Sequence, residues 1–311
     1  MIKKSDKIFL AGHNGLIGSA ILRKLKENGY KKIITINKKK LDLTNQLKVY
    51  KFIKKKKPKF IFIAAAKVGG ILSNMNYKAN FIYENLMIQT NLIDAAFKNN
   101  IKNLIFLGSS CIYPKFSKQP IKEDYLLTGK LEETNEAYAV AKIAGIKMCE
   151  SYNIQYKTNY KCLMPTNTFG PNDNYDNKNS HFIASLIRKI YQIREKNLNT
   201  ITIWGNGKPK REIIYVDDIA DACIYFMKKK TKETLINIGT GKDMSIEQYV
   251  KLFLKILLPQ KKIKIIYDKN KPNGTPRKLM NINVAKKYGW KAKTNFRKAI
   301  LKSYDHYQKN L

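Results

Sequence analysis

The first half of the chain alternates short β-rich apolar runs with longer amphipathic stretches, and this rhythm restricts the fold more than any other feature. "KIFLAG" (7–12) precedes a helical pattern over 15–28, and "KIITI" (32–36) precedes one over 44–56. "KFIFIAAA" (59–66) and "NLIFLGSS" (103–110) are followed in the same way by 76–99 and 134–152. Strands separated like this pair in parallel through right-handed crossovers, which predicts an α/β chain with a doubly wound parallel sheet. Such sheets receive ligands at the carboxyl ends of their strands.

Gly12, Gly15 and Gly18 in "LAGHNGLIGSAIL" fall between the first strand and the first helix. Residues without side chains let the backbone approach a pyrophosphate, and the helix start supplies aligned N–H donors. The expectation is a Rossmann-type dinucleotide site that includes His13, Asn14, Leu16 and Ile17 of the same loop. An acidic residue at the tip of the second strand would select a ribose hydroxyl, whereas a 2′-phosphate needs cations. The tip reads "NKKK", so NADP is expected with Lys38 as its partner, and Asp42 is placed to accept from the adenine amino group.

After "TNYKCLMPTNTFG" the pattern loosens into short strands, turns and an Asn-rich loop at 172–180. The expected division is 1–165 for the dinucleotide and 166–311 for a smaller mixed α/β substrate domain, with 211–227 returning toward the first. A chain of 311 residues, 44% hydrophobic, can bury both cores. Its longest apolar run, 60–66, is well short of the ~18 residues that cross a bilayer. The apolar stretch after "MIKKSDK" is too short for a signal peptide, so the expected location is cytoplasmic with no membrane partner.

The net charge of +37 raises the question of nucleic acid. Its lysines spread through every segment without the arginine and aromatic interleaving of a base-reading surface, so they read as solvated faces and no nucleic-acid partner is expected. The field they create still attracts small anions. Four cysteines without a CxxC pair give no metal or disulfide framework.

"YAVAK" sets Tyr138 and Lys142 four residues apart on one helix face. Lysine can hold a ribose and lower the phenol's pKa electrostatically, leaving the phenol to exchange a proton with a carbonyl oxygen. The spacing recurs at Tyr50/Lys54, Tyr225/Lys229 and Tyr267/Lys271, so it is not specific by itself. What distinguishes 138/142 is the preceding strand tip, where Ser109 can offer a hydroxyl to the same carbonyl.

Cys111 needs a further explanation, because hydride transfer does not require a thiol. The C–H bonds beside a ketone are acidic, and inverting such a carbon takes one group to remove a proton and another to return it. A cysteine can be the base and a histidine the acid. Buried packing remains open for Cys111, and a plain helix-start role remains open for His181 in "NKNSHFIASLIRKI".

Gly-rich loop, strand-tip serine and tyrosine–lysine helix together resemble the extended short-chain dehydrogenase/reductase family. "AAAKVGGI", "NFIYENLMIQTNLI", "FLGSSCIYPK", "MPTNTFGPNDN", "SHFIASLIRK", "WGNGKPKRE" and "KPNGTPRKL" narrow the resemblance to its GDP-4-keto-6-deoxymannose 3,5-epimerase-4-reductase branch. The resemblance implies that Ser109, Tyr138 and Lys142 reduce C4 with NADPH, while Cys111 and His181 move protons at C3 and C5, giving GDP-L-fucose. It implies that Leu107, Gly108, Ser109, Ser110, Lys142, Pro165, Thr166, Asn167, Thr168 and His181 line the cofactor. Lys189, Trp204, Arg211, Asn273 and Lys278 would hold the GDP-sugar, and cations at 189, 211 and 278 do suit a pyrophosphate.

It also implies a homodimer formed through the helices at 76–99 and 134–152. Three departures bear on specificity: Asn14 stands where relatives often carry arginine near the 2′-phosphate, and Asn273 and Asn281 replace common aspartates. Another GDP-hexose epimerase-reductase, for a 3,6-dideoxy sugar for instance, would use the same residues. A nucleotide-binding regulator without catalysis would not need them.

Overall fold

The computed structural model describes residues 2–177, 180–271 and 273–311. Its first half runs β1 (Ile8–Ala11), α1 (Leu16–Glu27), β2 (Ile33–Ile34), α2 (Gln46–Lys56), β3 (Phe60–Ile63), α3 (Ile71–Asn76), α4 (Lys78–Lys98), β4 (Asn103–Leu107), α5 (Glu136–Tyr156) and β5 (Asn159–Pro165). Then follow β6 (Asn167–Phe169), α6 (Phe182–Glu195), β7 (Thr200–Trp204), β8 (Lys210–Tyr215), α7 (Val216–Lys228) and β9 (Leu235–Ile238). The remainder is β10 (Asp243–Ser245), α8 (Ile246–Leu257), β11 (Lys264–Asp268), β12 (Arg277–Lys278), α9 (Asn283–Lys287) and α10 (Phe296–Lys309).

Six parallel strands form the main sheet in the order β2-β1-β3-β4-β5-β9. β1 and β3 are unbroken apolar runs because helices cover both faces of the sheet. Side chains alternate across it: Ile8, Leu10, Phe60, Phe62 and Ile105 join Leu25, Ile219 and Phe226 of α1 and α7 on one face. Phe9, Ile61, Ile63, Leu104 and Phe106 join Val49, Ile53, Leu92, Ile93 and Ile146 of α2, α4 and α5 on the other. The architecture is the doubly wound α/β type. β1 has β2 on one side and β3 on the other, so the winding reverses between β1 and β3 and opens a crevice at their carboxyl ends.

The smaller region is mixed. β8 pairs antiparallel with β10 and parallel with β12 and β6, while β7 and β11 form a separate parallel pair. The segment at 211–227 supplies most of β8 and α7; α7 packs on α1, but the strand that completes the main sheet is β9, further along the chain.

Two local expectations shift. β2 keeps two residues instead of five, because Lys40 and Leu41 donate their N–H groups to the Asn37 carbonyl and turn the chain. The helix over 76–99 breaks at Tyr77 (φ −124°, ψ 37°), whose N–H closes α3 on Ser73 while its carbonyl accepts from Phe81 in α4.

Candidate active site

The phosphate loop sits at the crevice between β1 and β3. Gly12 has φ +89°, and a Cβ there would stand 2.5 Å from the Ala65 nitrogen. A Cβ on Gly18 would stand 1.9 Å from the Gly12 carbonyl oxygen, so only glycine lets the loop and α1 approach this closely. Gly15 begins α1 without a capping side chain, leaving the helix-start N–H donors to an outside acceptor. A dinucleotide pyrophosphate fits this cradle. Leu16 and Ile17 are half-buried in the first turn and Asn14 is exposed. His13 lines an open cavity of about 500 Å³ together with Asn37, Lys40, Phe52 and Lys56.

The adenosine-side residues are engaged within the protein. Lys38 lies 3.4 Å from Glu84 of α4, which also takes the Lys67 ammonium at 3.0 Å. These cations and their hydrogen bonds outweigh partial burial and hold the Glu84 carboxyl below its ordinary value, although desolvation is its largest single influence. Asp42 accepts from the Thr44 N–H at 3.0 Å and hydroxyl at 2.8 Å, both on Oδ1, a turn that lowers its pKa. Sequence reading missed Glu84 because nothing local links a helix carboxylate to a strand tip 46 residues away.

β4 delivers the reactive strand tip. The Gly108 N–H donates to Leu163, and a short 3₁₀ turn at Ser110–Ile112 then points the chain away from the sheet. Ser110 is buried beneath it. The Ser109 hydroxyl accepts from the Cys111 N–H at 3.4 Å and hydrogen-bonds the Tyr138 phenol. Lys142 was expected to lower the Tyr138 pKa, but burial, reinforced by Cys111, pushes it above its ordinary value despite that bond. Lys142, buried one turn further along α5, donates to the Leu107 carbonyl at 2.9 Å and stands 5.8 Å from the centre of the Tyr138 ring. Burial pulls its pKa down to about 7.

His181 occupies the N-cap position of α6 but its side chain makes no capping bond. The residue is exposed to solvent by surface area, yet burial by the surrounding protein, with Lys278 adding to the effect, lowers its pKa. Lys278 of β12 extends the other way to the Cys111 sulfur, with its nitrogen 3.8 Å from Sγ. One ammonium thus stands beside the thiol and acts electrostatically on the imidazole.

The other substrate-side residues lie along β7 and β8. The Lys189 ammonium donates to the Thr202 carbonyl at 2.6 Å, and its pKa is lowered by burial. Trp204 is 42% exposed, with the Lys271 nitrogen 5.7 Å from a ring centre. Arg211 pairs in register with Lys278 and donates to the Lys210 carbonyl at 2.8 Å; burial lowers its pKa. The Asn273 side-chain oxygen accepts the Asn206 N–H at 2.9 Å, clasping the turn after Trp204, and Asn281 accepts from the Asn283 N–H at 2.9 Å. Pro272 of the same loop lies outside the described residues.

β5 ends at Pro165, where the Thr166 N–H donates to Ile238 of β9 and the Thr166 hydroxyl to the Glu212 carbonyl. Asn167 donates to that same carbonyl, and the Thr168 hydroxyl returns to Thr166. These bonds join the main sheet to β8 at the cleft floor.

The family model for the NAD dependent epimerase/dehydratase family matches residues 8–239, from the first residue of β1 to one residue past β9. The chain belongs to that family. It is 45% identical to GDP-L-fucose synthase 1 of Arabidopsis thaliana, over 100% of this chain and 96% of that protein. It is 40% identical to the GDP-L-colitose synthase of Yersinia pseudotuberculosis, over 97% of each. Among solved structures, the GDP-mannoheptose C4 reductase of Campylobacter jejuni with NADP bound superposes with a TM-score of 0.88 at 36% identity, covering 99% of this chain and 100% of that one.

For a member of the epimerase/dehydratase family, the stretch beyond residue 239 is informative, since it carries β12 and Lys278. Sequence reading also missed Glu212, which is fully buried and anchors this stretch. Its carboxylate accepts the Thr240, Gly241 and Met280 N–H groups at 2.5, 2.6 and 2.8 Å. An acid entering the apolar strand "KREIIY" was the available signal. Among the described residues no group of acids, cysteines and histidines could hold a metal ion, and no helix is long and apolar enough to cross a membrane.

Proposed function

We propose that this chain catalyses the NADPH-dependent 3,5-epimerisation and 4-reduction of GDP-4-keto-6-deoxy-D-mannose to GDP-L-fucose. The observation that carries the reading is the convergence of a thiol, a serine hydroxyl and a tyrosine phenol at the tip of β4. A reductase alone has no use for the thiol, and full-length identity to GDP-L-fucose synthases supports both reactions in one cleft.

In this reading Cys111 takes the proton from the carbon beside the C4 carbonyl, and the C–H electron pair moves onto the carbonyl oxygen as an enolate. Ser109 and Tyr138 stabilise that oxygen through hydrogen bonds. His181 returns a proton on the opposite face, at C3 and then at C5. NADPH, when bound, supplies hydride to C4. Tyr138 gives the new alkoxide its proton, for which its raised pKa is suited, because the phenol stays protonated at neutral pH. Lys142 would hold the nicotinamide ribose and, with its pKa pulled down to about 7, serve as the proton source that replenishes the phenol. The helix-start donors after Gly15 hold the pyrophosphate, and Lys38 the 2′-phosphate. Lys189 and Arg211 face the GDP phosphates, and Trp204 offers its ring.

The division into a nucleotide unit over 1–165 and a substrate unit over 166–311 follows the same reading, with β9 supplied from the second to the first. We place the protein in the cytoplasm, where the Cys111 thiol stays reduced. A homodimer through α4 and α5 belongs to the same reading, with Tyr83 and Val140 exposed on these helices. The deciding experiment incubates GDP-4-keto-6-deoxy-D-mannose with NADPH and the enzyme and identifies the product by NMR. GDP-L-fucose is expected; recovery of an unepimerised 6-deoxy sugar would overturn the epimerase assignment. A second substrate, the 4-keto-3,6-dideoxy analogue, is favoured by the colitose synthase relationship and belongs in the same assay.

A further inference from the structure

Lys278 was expected to face a pyrophosphate, yet its ammonium lies against the Cys111 sulfur, 3.8 Å away. Its backbone is held from several sides. β12 pairs Lys278 with Arg211 of β8, the Leu279 N–H donates to the Gln119 side chain at 2.8 Å, and the Met280 N–H donates to buried Glu212. The Ile121 N–H donates to the Leu279 carbonyl at 2.7 Å, tying β12 to the segment that follows the cysteine turn. Leu279 and Met280 are buried. Alternation along β12 does the rest: Arg277 pairs with Asp243 at 2.6 Å, and Lys278 points to the thiol.

The charged and titratable groups facing the sulfur are therefore Lys278 from β12 and Tyr138 from α5, with His181 of α6 felt by Lys278. Among the described residues only Lys278 brings a positive charge to hydrogen-bond distance. A thiolate beside an ammonium is favoured over the thiol, and the attraction is stronger in a cleft with little water than in bulk solvent.

We propose that Lys278 is the positioning residue of Cys111: its ammonium orients the sulfur toward the substrate carbon and stabilises the thiolate that removes the proton. The thiol first loses its proton to solvent; the sulfur lone pair then takes the substrate proton while the C–H electrons become the enolate. The proposal rests on the epimerase reading for its purpose, but the Lys278–Cys111 coupling can be tested without any sugar.

The test is the pH dependence of Cys111 alkylation by iodoacetamide in the full-length enzyme, followed by mass spectrometry of the Cys111 peptide. Sulfur attacks the methylene carbon and iodide leaves. Lys278→Met and Lys278→Gln should slow alkylation near pH 7 about tenfold. Lys278→Arg should restore most of the rate. Profiles in both neutral variants that overlie the wild type, with KM for the GDP-sugar raised and kcat unchanged, would overturn the proposal and return Lys278 to the pyrophosphate. Failure of the epimerase reading is read separately, as solvent deuterium still entering C3 and C5 in Cys111→Ser.

Discussion

Lys142 directs its ammonium at the Leu107 carbonyl oxygen, 2.9 Å away, and stands 5.8 Å from the centre of the Tyr138 ring. Among the described residues this carbonyl is the one hydrogen-bond acceptor of the buried lysine, and burial pulls its pKa to about 7 from the ordinary 10.5. Between those two values the unfolded chain holds a proton that the folded chain has released, so stability rises with pH across that window. Lys142→Met removes this dependence. Urea denaturation from pH 6.5 to 9.5 should show the variant's relative stability greatest at the acid end and declining as pH rises, since the wild-type penalty is relieved there. Parallel curves for the two proteins would contradict the burial argument. The same substitution should lower kcat about a hundredfold.

Tyr138→Phe keeps the ring edge-on to Phe81 but removes the proton that the C4 alkoxide needs. Reduction should fall by about two to four orders of magnitude. Deuterium exchange from solvent into the 4-keto sugar should persist at a reduced rate, because Cys111 remains and Ser109 still faces the enolate oxygen. NADPH oxidation followed at 340 nm and NMR of the recovered substrate measure the two separately. Normal NADPH oxidation would remove Tyr138 from its role.

Cys111→Ser should do the complementary damage. A serine hydroxyl in the same position is too weak a base to take the C3 proton, so deuterium incorporation should fall by at least about a hundredfold. Reduction of a ketone supplied already epimerised should stay within about threefold of the wild type. Loss of both activities in a folded variant would mean that the sulfur serves the reductive step as well.

The sheet and phosphate loop were legible because both are written in contiguous sequence. Apolar runs of the length and spacing at 7–12 and 59–66 have few other solutions, and glycine spacing is a local steric requirement. Ser109, Cys111 and Tyr138 were legible for a similar reason, since a strand tip and the following helix carry them. What stayed hidden is tertiary. No pattern within "NKKK" reveals that Glu84 takes Lys38, or that Oδ1 of Asp42 accepts from Thr44 two residues on. Lys278 and Cys111 are separated by 167 residues, and a pairing of two residues between β12 and β8 brings them together. The His181 position at a helix start was readable, but not that its imidazole leaves the helix uncapped.

The ion pairs of Glu84 make cofactor choice testable at a residue outside the phosphate loop. Lys38 is expected to hold the 2′-phosphate, but Glu84 competes for its ammonium at 3.4 Å and for Lys67 at 3.0 Å. With asparagine at position 14, little other positive charge is available in the loop. Glu84→Gln should therefore release both lysines and tighten NADPH. An exposed pair is worth up to about 1 kcal/mol, which sets the expected gain at no more than about fivefold. NADH, lacking the phosphate, should change by less than about twofold on the same scale. Lys38→Ala should weaken NADPH and leave NADH nearly unaltered. Fluorescence titration of each reduced cofactor, at low and at 0.15 M ionic strength, reads all four values, and the Glu84→Gln gain should shrink with added salt. Equal changes for NADPH and NADH in Glu84→Gln would show that the carboxylate shapes the fold of the adenosine side and has no part in choosing between the two cofactors.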